Sequence, residues 1–327
     1  MSIITAREAL YTAMKEEMIR DKTVIILGCD VGFRGGNFGV TKGLWKEFGG
    51  KRVMDTPISE PGFTGAGIGA AATGLRPVIE ILFNDWITLP MDQIVNMAAK
   101  MRYMFGGKVN IPLVVRAPFG GGGGLAAQHS QSFESWFYSV PGLKVVAPVM
   151  PYDMKGMMKT AIRDDNPVIF FEHRRAYQIK AEVPDEEYTV PLGKAAIRTE
   201  GTDVTIISYS LMSLKAQDAA KELLAEGISC EVIDLRSLLP LDYDTIMRSI
   251  AKTGRVVVAQ EANLRGGISS DIVAEIVERG YNLLKAPPAR VGGLNVPMPY
   301  NIQLENEVIP SVQKIKDAVK RTLSVNL

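Results

Sequence analysis

The stretch Asp55-Thr-Pro-Ile-Ser-Glu-Pro-Gly-Phe-Thr-Gly65 sets a single carboxylate, Glu60, at the end of an apolar extended segment and just before a run of glycine and alanine. Pro57, Ile58, Pro61, Gly62 and Phe63 would keep water away from it. A carboxyl group in such surroundings can hold a hydrogen bond to a heterocycle nitrogen. The plainer alternative is an acid favoured by the dipole at a helix N-terminus, and the local sequence leaves both open. A second candidate is His129, one of two histidines, in Gln128-His-Ser-Gln131, where polar neighbours can orient an imidazole. It follows Gly120–Gly124, five glycines that permit close backbone approach or positive φ. This is no GxxxxGK[ST] phosphate cradle, since no lysine follows; it reads as a flexible loop that places His129. His173, in Glu172-His-Arg-Arg, follows a strand and reads as structural or interfacial. Trp86, in Phe83-Asn-Asp-Trp86, follows an apolar strand, where an aromatic ring can flank a ring ligand or pack into the core. Ala161-Ile-Arg-Asp-Asp-Asn-Pro167 reads as a helix end and turn, whose carbonyls and Asp164 could also hold a monovalent cation.

The elements that must position these residues alternate. Residues 5–20 predict an amphipathic helix entered directly from the N-terminus, with Thr5 and Glu8 at capping-box spacing. Short, almost continuously apolar strands are expected at 23–28, 77–83, 111–116, 143–147 and 168–172, with helices at 91–103 and 152–162. Such strands between helices imply a parallel sheet covered on both faces. The polar stretch 178–196 breaks the rhythm and reads as a linker. A second α/β set follows, with strands at 204–208, 230–234, 255–260 and 289–292 and helices at 214–226, 243–253, 267–280 and 311–323. The fold class is therefore α/β, two doubly wound domains with parallel-type sheets, residues 1–185 and 195–327, with the boundary near residue 190.

The 327 residues suffice for two such domains, and 46% hydrophobic with 22% charged residues is ordinary for a globular chain. A net charge of +1 gives no reason to expect nucleic acid or an anionic membrane as partner. Cys29 and Cys230 sit in apolar segments without CxxC spacing, which argues for a reducing compartment and against a zinc site. No apolar run is long enough to span a bilayer and no signal peptide is visible, so a cytoplasmic location, or an organelle after processing, is expected.

Taken in order, Gly35-Gly-Asn-Phe-Gly-Val-Thr-Lys-Gly43, Asp55-Thr-Pro-Ile-Ser-Glu60, Met91-Asp-Gln-Ile-Val-Asn96, Gln128-His-Ser-Gln131, Pro141-Gly-Leu-Lys-Val-Val-Ala-Pro148, Asp165-Asn-Pro-Val-Ile-Phe170 and Val296-Pro-Met-Pro-Tyr300 resemble the β subunit of thiamin-diphosphate-dependent 2-oxo acid dehydrogenases, the E1β family of pyruvate, acetoin and branched-chain enzymes. The resemblance covers essentially the whole chain. It implies a transketolase-like pyrimidine-binding domain followed by a transketolase C-terminal-like domain. It also implies that Glu60 contacts the aminopyrimidine ring of thiamin diphosphate, with Ile58 and Trp86 beside it. A carboxyl at the ring N1′ favours the imino tautomer, which lets the 4′ nitrogen take the thiazolium C2 proton, and the cofactor then serves as the electron sink of decarboxylation. His129 matches the family's active-site histidine, placed for proton handling or for positioning substrate and lipoyl groups. Ile111, Ala161, Ile162, Asp164 and Asn166 match a potassium site built mostly of carbonyls.

The family group binds magnesium and diphosphate through Gly-Asp-Gly, which this chain lacks. The resemblance therefore implies that an E1α subunit holds Mg2+ and the other end of the cofactor in an α2β2 heterotetramer. An E2 lipoyl acyltransferase would accept the acyl group from a pyruvate-like 2-oxo acid. Three departures stand out. Gly28-Cys-Asp-Val31 has Cys29 where the family usually has an acid, the glycine loop is richer in glycine than is typical, which would loosen the substrate rim, and His173-Arg-Arg175 replaces a more apolar stretch. The alternatives are an acetoin or branched-chain oxo acid enzyme, the C-terminal half of a split transketolase with Arg174 and Arg175 on a substrate phosphate, or a non-catalytic assembly protein on the same fold.

Overall fold

The computed structural model describes residues 1–325. Its chain opens with a strand rather than with the expected helix. Strand β1 (Ser2–Thr5) pairs antiparallel with β8 (Lys180–Val183), so part of the expected linker is strand. The helix then starts at Ala6 and runs to Arg20. Its capping box is formed: the Glu8 amide donates to Thr5 Oγ1 at 3.1 Å and the Thr5 amide donates to Glu8 Oε2 at 2.7 Å.

Two compact units divide the chain. The first comprises Met1–Phe119 and Trp136–Leu192, and the second Gly120–Ser135 and Gly193–Leu327. In the first unit, β2 (Val24–Gly28), β3 (Val53–Asp55), β4 (Arg76–Glu80), β5 (Val114–Phe119), β6 (Lys144–Val146) and β7 (Val168–His173) form a sheet ordered β6-β7-β5-β4-β2-β3, with every pair parallel. Strands β2, β4, β5 and β7 are buried almost throughout, as their apolar sequences require. The order reverses direction at β2, which pairs with β3 on one side and β4 on the other. In an open α/β sheet the crevice beyond the carboxyl ends of the strands at such a reversal is where ligands bind. The helix expected at 91–103 is a π-helix over Gln93–Ala98 continued by an α-helix over Ala99–Met104.

The second unit has its own sheet, ordered β14 (Ala289–Gly293), β13 (Val256–Asn263), β10 (Val204–Ser208), β11 (Cys230–Asp234), β9 (Ala196–Thr199). The first four are mutually parallel and β9 is an antiparallel edge. A short strand, β12 (Ser237–Leu239), follows β11. Helices Leu211–Leu224 and Val312–Leu323 bury Met212, Ala216, Ile315 and Val319 against Ile206, Val232 and Val257.

Candidate active site

Register aligns the strand ends that matter. Gly28 of β2 lies opposite Asp55 of β3 and Glu80 of β4, so three carboxyl ends meet at one edge of the first unit's sheet. Glu60 follows β3 by five residues and is the first residue of helix Glu60–Ala72. Pro61 suits this first turn because its missing amide would have had no partner there. The Phe63 amide, which donates to Ser59 O at 3.0 Å, fixes the entry. Glu60 is 4% exposed, while Ile58, two residues earlier, is 79% exposed. Trp86 follows β4 in a 3-10 turn, Asn84–Thr88, and is half-buried. It meets Phe83 edge to face at 5.2 Å, Phe83 meets Phe38 at 5.4 Å, and Phe38 lies 5.6 Å from Tyr177. The structure thus brings Glu60, Ile58 and Trp86 to one sheet edge. His129 lies in the second unit's segment Gly120–Ser135, half-buried, its amide donating to Ala126 O at 3.4 Å.

Cys29 stands at the end of β2, 6% exposed. Burial first, then the charges of Asp30, Glu60 and Asp55, push its thiol up, so it is a thiol and not a nucleophile or a substitute acid. Asp55 accepts the Gly32 amide at 2.6 Å and the Phe33 amide at 3.1 Å, and so fixes the turn that follows Cys29.

Below the same edge lies an ion group that the motifs did not reveal. Arg116, fully buried, forks onto Glu172, with Nε to Oε1 at 2.7 Å and Nη2 to Oε2 at 2.8 Å, and its Nη1 pairs with Glu80. The Tyr177 hydroxyl donates to Glu172 Oε2 at 2.7 Å. Desolvation holds the Glu80 carboxyl above the usual range, against the pull of Arg116 and the Asn37 amide. A Cβ on Gly36 would stand 2.7 Å from Glu80 Oε1, so only glycine lets this backbone pass the carboxylate. The available signal was an acid and an arginine inside otherwise apolar strands, a placement rarely seen without a partner.

The residues matched to a potassium site lie at the opposite, amino edge of the sheet, before β5 and β7. Arg76 Nη1 donates to the carbonyls of Ile162 (3.1 Å) and Asp164 (3.0 Å), and the Ala161 carbonyl accepts the Asp164 amide at 3.3 Å. The Asp164 carboxylate takes Lys144 and both the amide and Nδ2 of Asn166, and the Ile111 amide donates to Asp165 O at 3.1 Å. Each carbonyl oxygen keeps a second lone pair, so a cation would share these acceptors with Arg76. Among the described residues no group of three or more His, Cys, Asp or Glu side chains could hold a metal.

The glycine loop corrects an expectation. It is fastened within the second unit, not loose. Glu305 accepts the Gly122 amide at 2.7 Å and the Gly124 amide at 2.9 Å, and Glu261 accepts the Gly121 amide at 2.7 Å. The amides that might have cradled a phosphate are taken by carboxylates. His173 is buried, with Nδ1 accepting the Arg175 amide at 3.3 Å, a structural role.

Two parallel-sheet units and a buried glutamate at the switch-point edge define a transketolase-type chain. Residues 2–180 match the family described as transketolase, pyrimidine binding domain, and residues 193–315 match transketolase, C-terminal domain. The chain is 46% identical over 325 residues to the acetoin:2,6-dichlorophenolindophenol oxidoreductase subunit beta of Bacillus subtilis, covering 96% of this chain and 95% of that one. It is 47% identical over 318 residues to the pyruvate dehydrogenase E1 component subunit beta of Rickettsia bellii (97% and 98% covered). It is 46% identical over 322 residues to the 2-oxoisovalerate dehydrogenase subunit beta of B. subtilis (98% and 98%). A solved split gene transketolase, an inactive beta4 tetramer, shares the fold at a TM-score of 0.82 and 24% identity over 99% of both chains. The chain belongs to the family of E1-type β subunits of 2-oxo acid dehydrogenases and acetoin oxidoreductases, and no helix among the described residues is long and apolar enough to cross a membrane.

Proposed function

We propose that this chain is the β half of a thiamin-diphosphate-dependent E1 enzyme that decarboxylates a pyruvate-like 2-oxo acid and passes the acyl group to a lipoyl group. The supporting observation is Glu60: a carboxyl side chain withdrawn from water at the first turn of a helix, at the carboxyl edge of a parallel sheet where the strand order reverses. There Glu60 would hold a proton between its carboxyl and the pyrimidine N1′, Ile58 and Trp86 would bound the ring, and the cofactor would supply the electron sink. His129 is assigned proton handling or acyl positioning. Mg2+ and the diphosphate fall to an E1α partner in an α2β2 assembly, and the acyl acceptor to an E2 lipoyl protein. A potassium ion at Ile111, Ala161, Ile162, Asp164 and Asn166 would support the fold from the far edge of the sheet. We place the enzyme in the cytoplasm.

The split-transketolase reading finds little support, since Arg174 lies 5.5 Å over the Phe83 ring instead of standing ready for a phosphate. The test is reconstitution with an α-type partner, followed by cofactor-dependent turnover of pyruvate, branched-chain oxo acids and acetoin with a dye acceptor. Glu60→Gln should lower kcat by at least about 100-fold with the melting temperature kept. Full turnover in that variant would refute the role of Glu60. Turnover of sugar phosphates without a lipoyl or dye acceptor would replace the whole reading.

A further inference from the structure

Three carboxyl side chains of the second unit meet the segment that carries His129. Two are satisfied by the loop's own amides: Glu305 by Gly122 and Gly124, and Glu261 by Gly121. The third, Glu134, lies five residues past His129, fully buried at the start of the short helix Glu134–Tyr138. Its Oε1 accepts the Tyr209 hydroxyl at 2.6 Å. Its Oε2 is shielded from solvent and has no hydrogen-bond partner among the described residues. The titratable groups that act on it are Tyr209, itself buried beyond the end of β10, and the carboxylate of Glu261 on β13.

A buried carboxylate helped only by the Tyr209 hydroxyl and its own backbone amide, with a like charge nearby, is expensive, whereas a neutral acid with the same contacts is not. We propose that Glu134 is a positioning residue whose proton fastens the His129 loop to the second unit. Burial is the main cause that pushes its carboxyl up to about 7, opposed by the Tyr209 hydroxyl and the residue's own backbone amide, with Glu261 adding to it. The sign follows from linkage. When the loop opens, Glu134 is hydrated and loses its proton near the ordinary value of 4.5. In the fastened loop it keeps the proton to about 7. Opening therefore becomes about tenfold easier per pH unit between those values and then levels off. The consequence for turnover rests on the reading of His129 as an active-site residue, whereas the loop's response to pH does not.

The test is amide hydrogen exchange of residues 120–135 in the full chain, as the α/β complex where one forms, from pH 5 to 8.5. Rates are corrected for intrinsic base catalysis. The wild type should show corrected opening that rises roughly 40-fold from pH 5 to 7 and by only about a further twofold above. Glu134→Gln keeps the Tyr209 contact without a proton to lose, and its profile should be flat throughout. Tyr209→Phe removes the stronger of the two donors that favour the carboxylate, the other being the Glu134 amide, and should move the levelling-off point to higher pH. A Glu134→Gln profile that tracks the wild type, or a levelling-off point unmoved in Tyr209→Phe, overturns the proposal. In an active complex, Glu134→Gln should also remove a limb near pH 7 from the kcat/KM profile. If the limb stays while exchange behaves as expected, the role of His129 fails and the loop device stands.

Discussion

Replacing Arg116 by methionine should destabilise the protein by about 3–5 kcal/mol at pH 8 and by clearly less at pH 5.5. The guanidinium is fully buried and makes charge-assisted contacts to two carboxylates that are also buried. Without it, Glu172 retains the Tyr177 hydroxyl and Glu80 the Asn37 amide, neither of them a charge. Removing one partner of a buried pair costs about 3–5 kcal/mol, because the charge left behind is uncompensated, and here one removal strands two charges. The upper part of that range is expected. The pH dependence has a definite sign. Burial already holds Glu80 above its ordinary value of 4.5, and loss of the cation that opposes this raises it further. A group with a raised folded value contributes fully below its unfolded value and loses that contribution as pH climbs to the folded one. The deficit of the variant therefore grows from acid toward neutral pH. Urea unfolding at pH 5.5 and 8 measures both numbers. A loss below about 1 kcal/mol at pH 8, or one equal at the two pH values, refutes the account. A triple variant with Arg116→Met, Glu80→Gln and Glu172→Gln should regain most of the loss, since no charge is then stranded.

Other outcomes follow from single positions. Gly142→Ala should cost more than about 2 kcal/mol, because Gly142 has φ +100° and an added Cβ would lie 2.0 Å from the Ala99 carbonyl oxygen. Gly227→Ala, at φ +82° with nothing within 4 Å, should cost only about 1–2 kcal/mol by the same urea assay. Native protein at pH 8 should react with a disulfide reagent at both cysteines more than about tenfold slower than urea-unfolded protein, because burial pushes the Cys29 thiol up and the Cys230 thiol up to about 12. A fast-reacting native thiol would contradict this. Exchanging choline for potassium should raise the melting temperature and leave kcat at saturating substrate unchanged, since the candidate cation residues lie at the sheet edge opposite Glu60. An effect on kcat without one on melting would reverse that assignment.

Glu60 was legible because its segment changes character around it, from extended and apolar to small and helical, and the structure starts a helix at that residue. The buried strands were legible for the same reason: runs such as Thr23-Val-Ile-Ile-Leu-Gly28 have no exposed face to mark. Pairings distant in sequence were not. Ser2–Thr5 reads as a helix entry because only Lys180–Val183, nearly 180 residues away, makes it a strand. The glycine loop looked loose because its restraints, Glu261 and Glu305, sit about 140 and 183 residues downstream. Glu134 gave no local signal either, since nothing near it in the chain predicts Tyr209.

That loop has a consequence for the order in which the protein is made. Gly121, Gly122 and Gly124 leave the ribosome long before the side chains that receive their amides. Glu305 follows Gly122 by 183 residues. At roughly 5–20 residues per second, the loop waits about 10–40 seconds with those amides facing water. The first unit's strands can pair in that interval, since they need nothing encoded after Leu192. The histidine segment is thus translated in the middle of the chain and completed near the end of folding, and a ribosome stalled before Glu305 would hold an ordered first sheet with an unfastened loop.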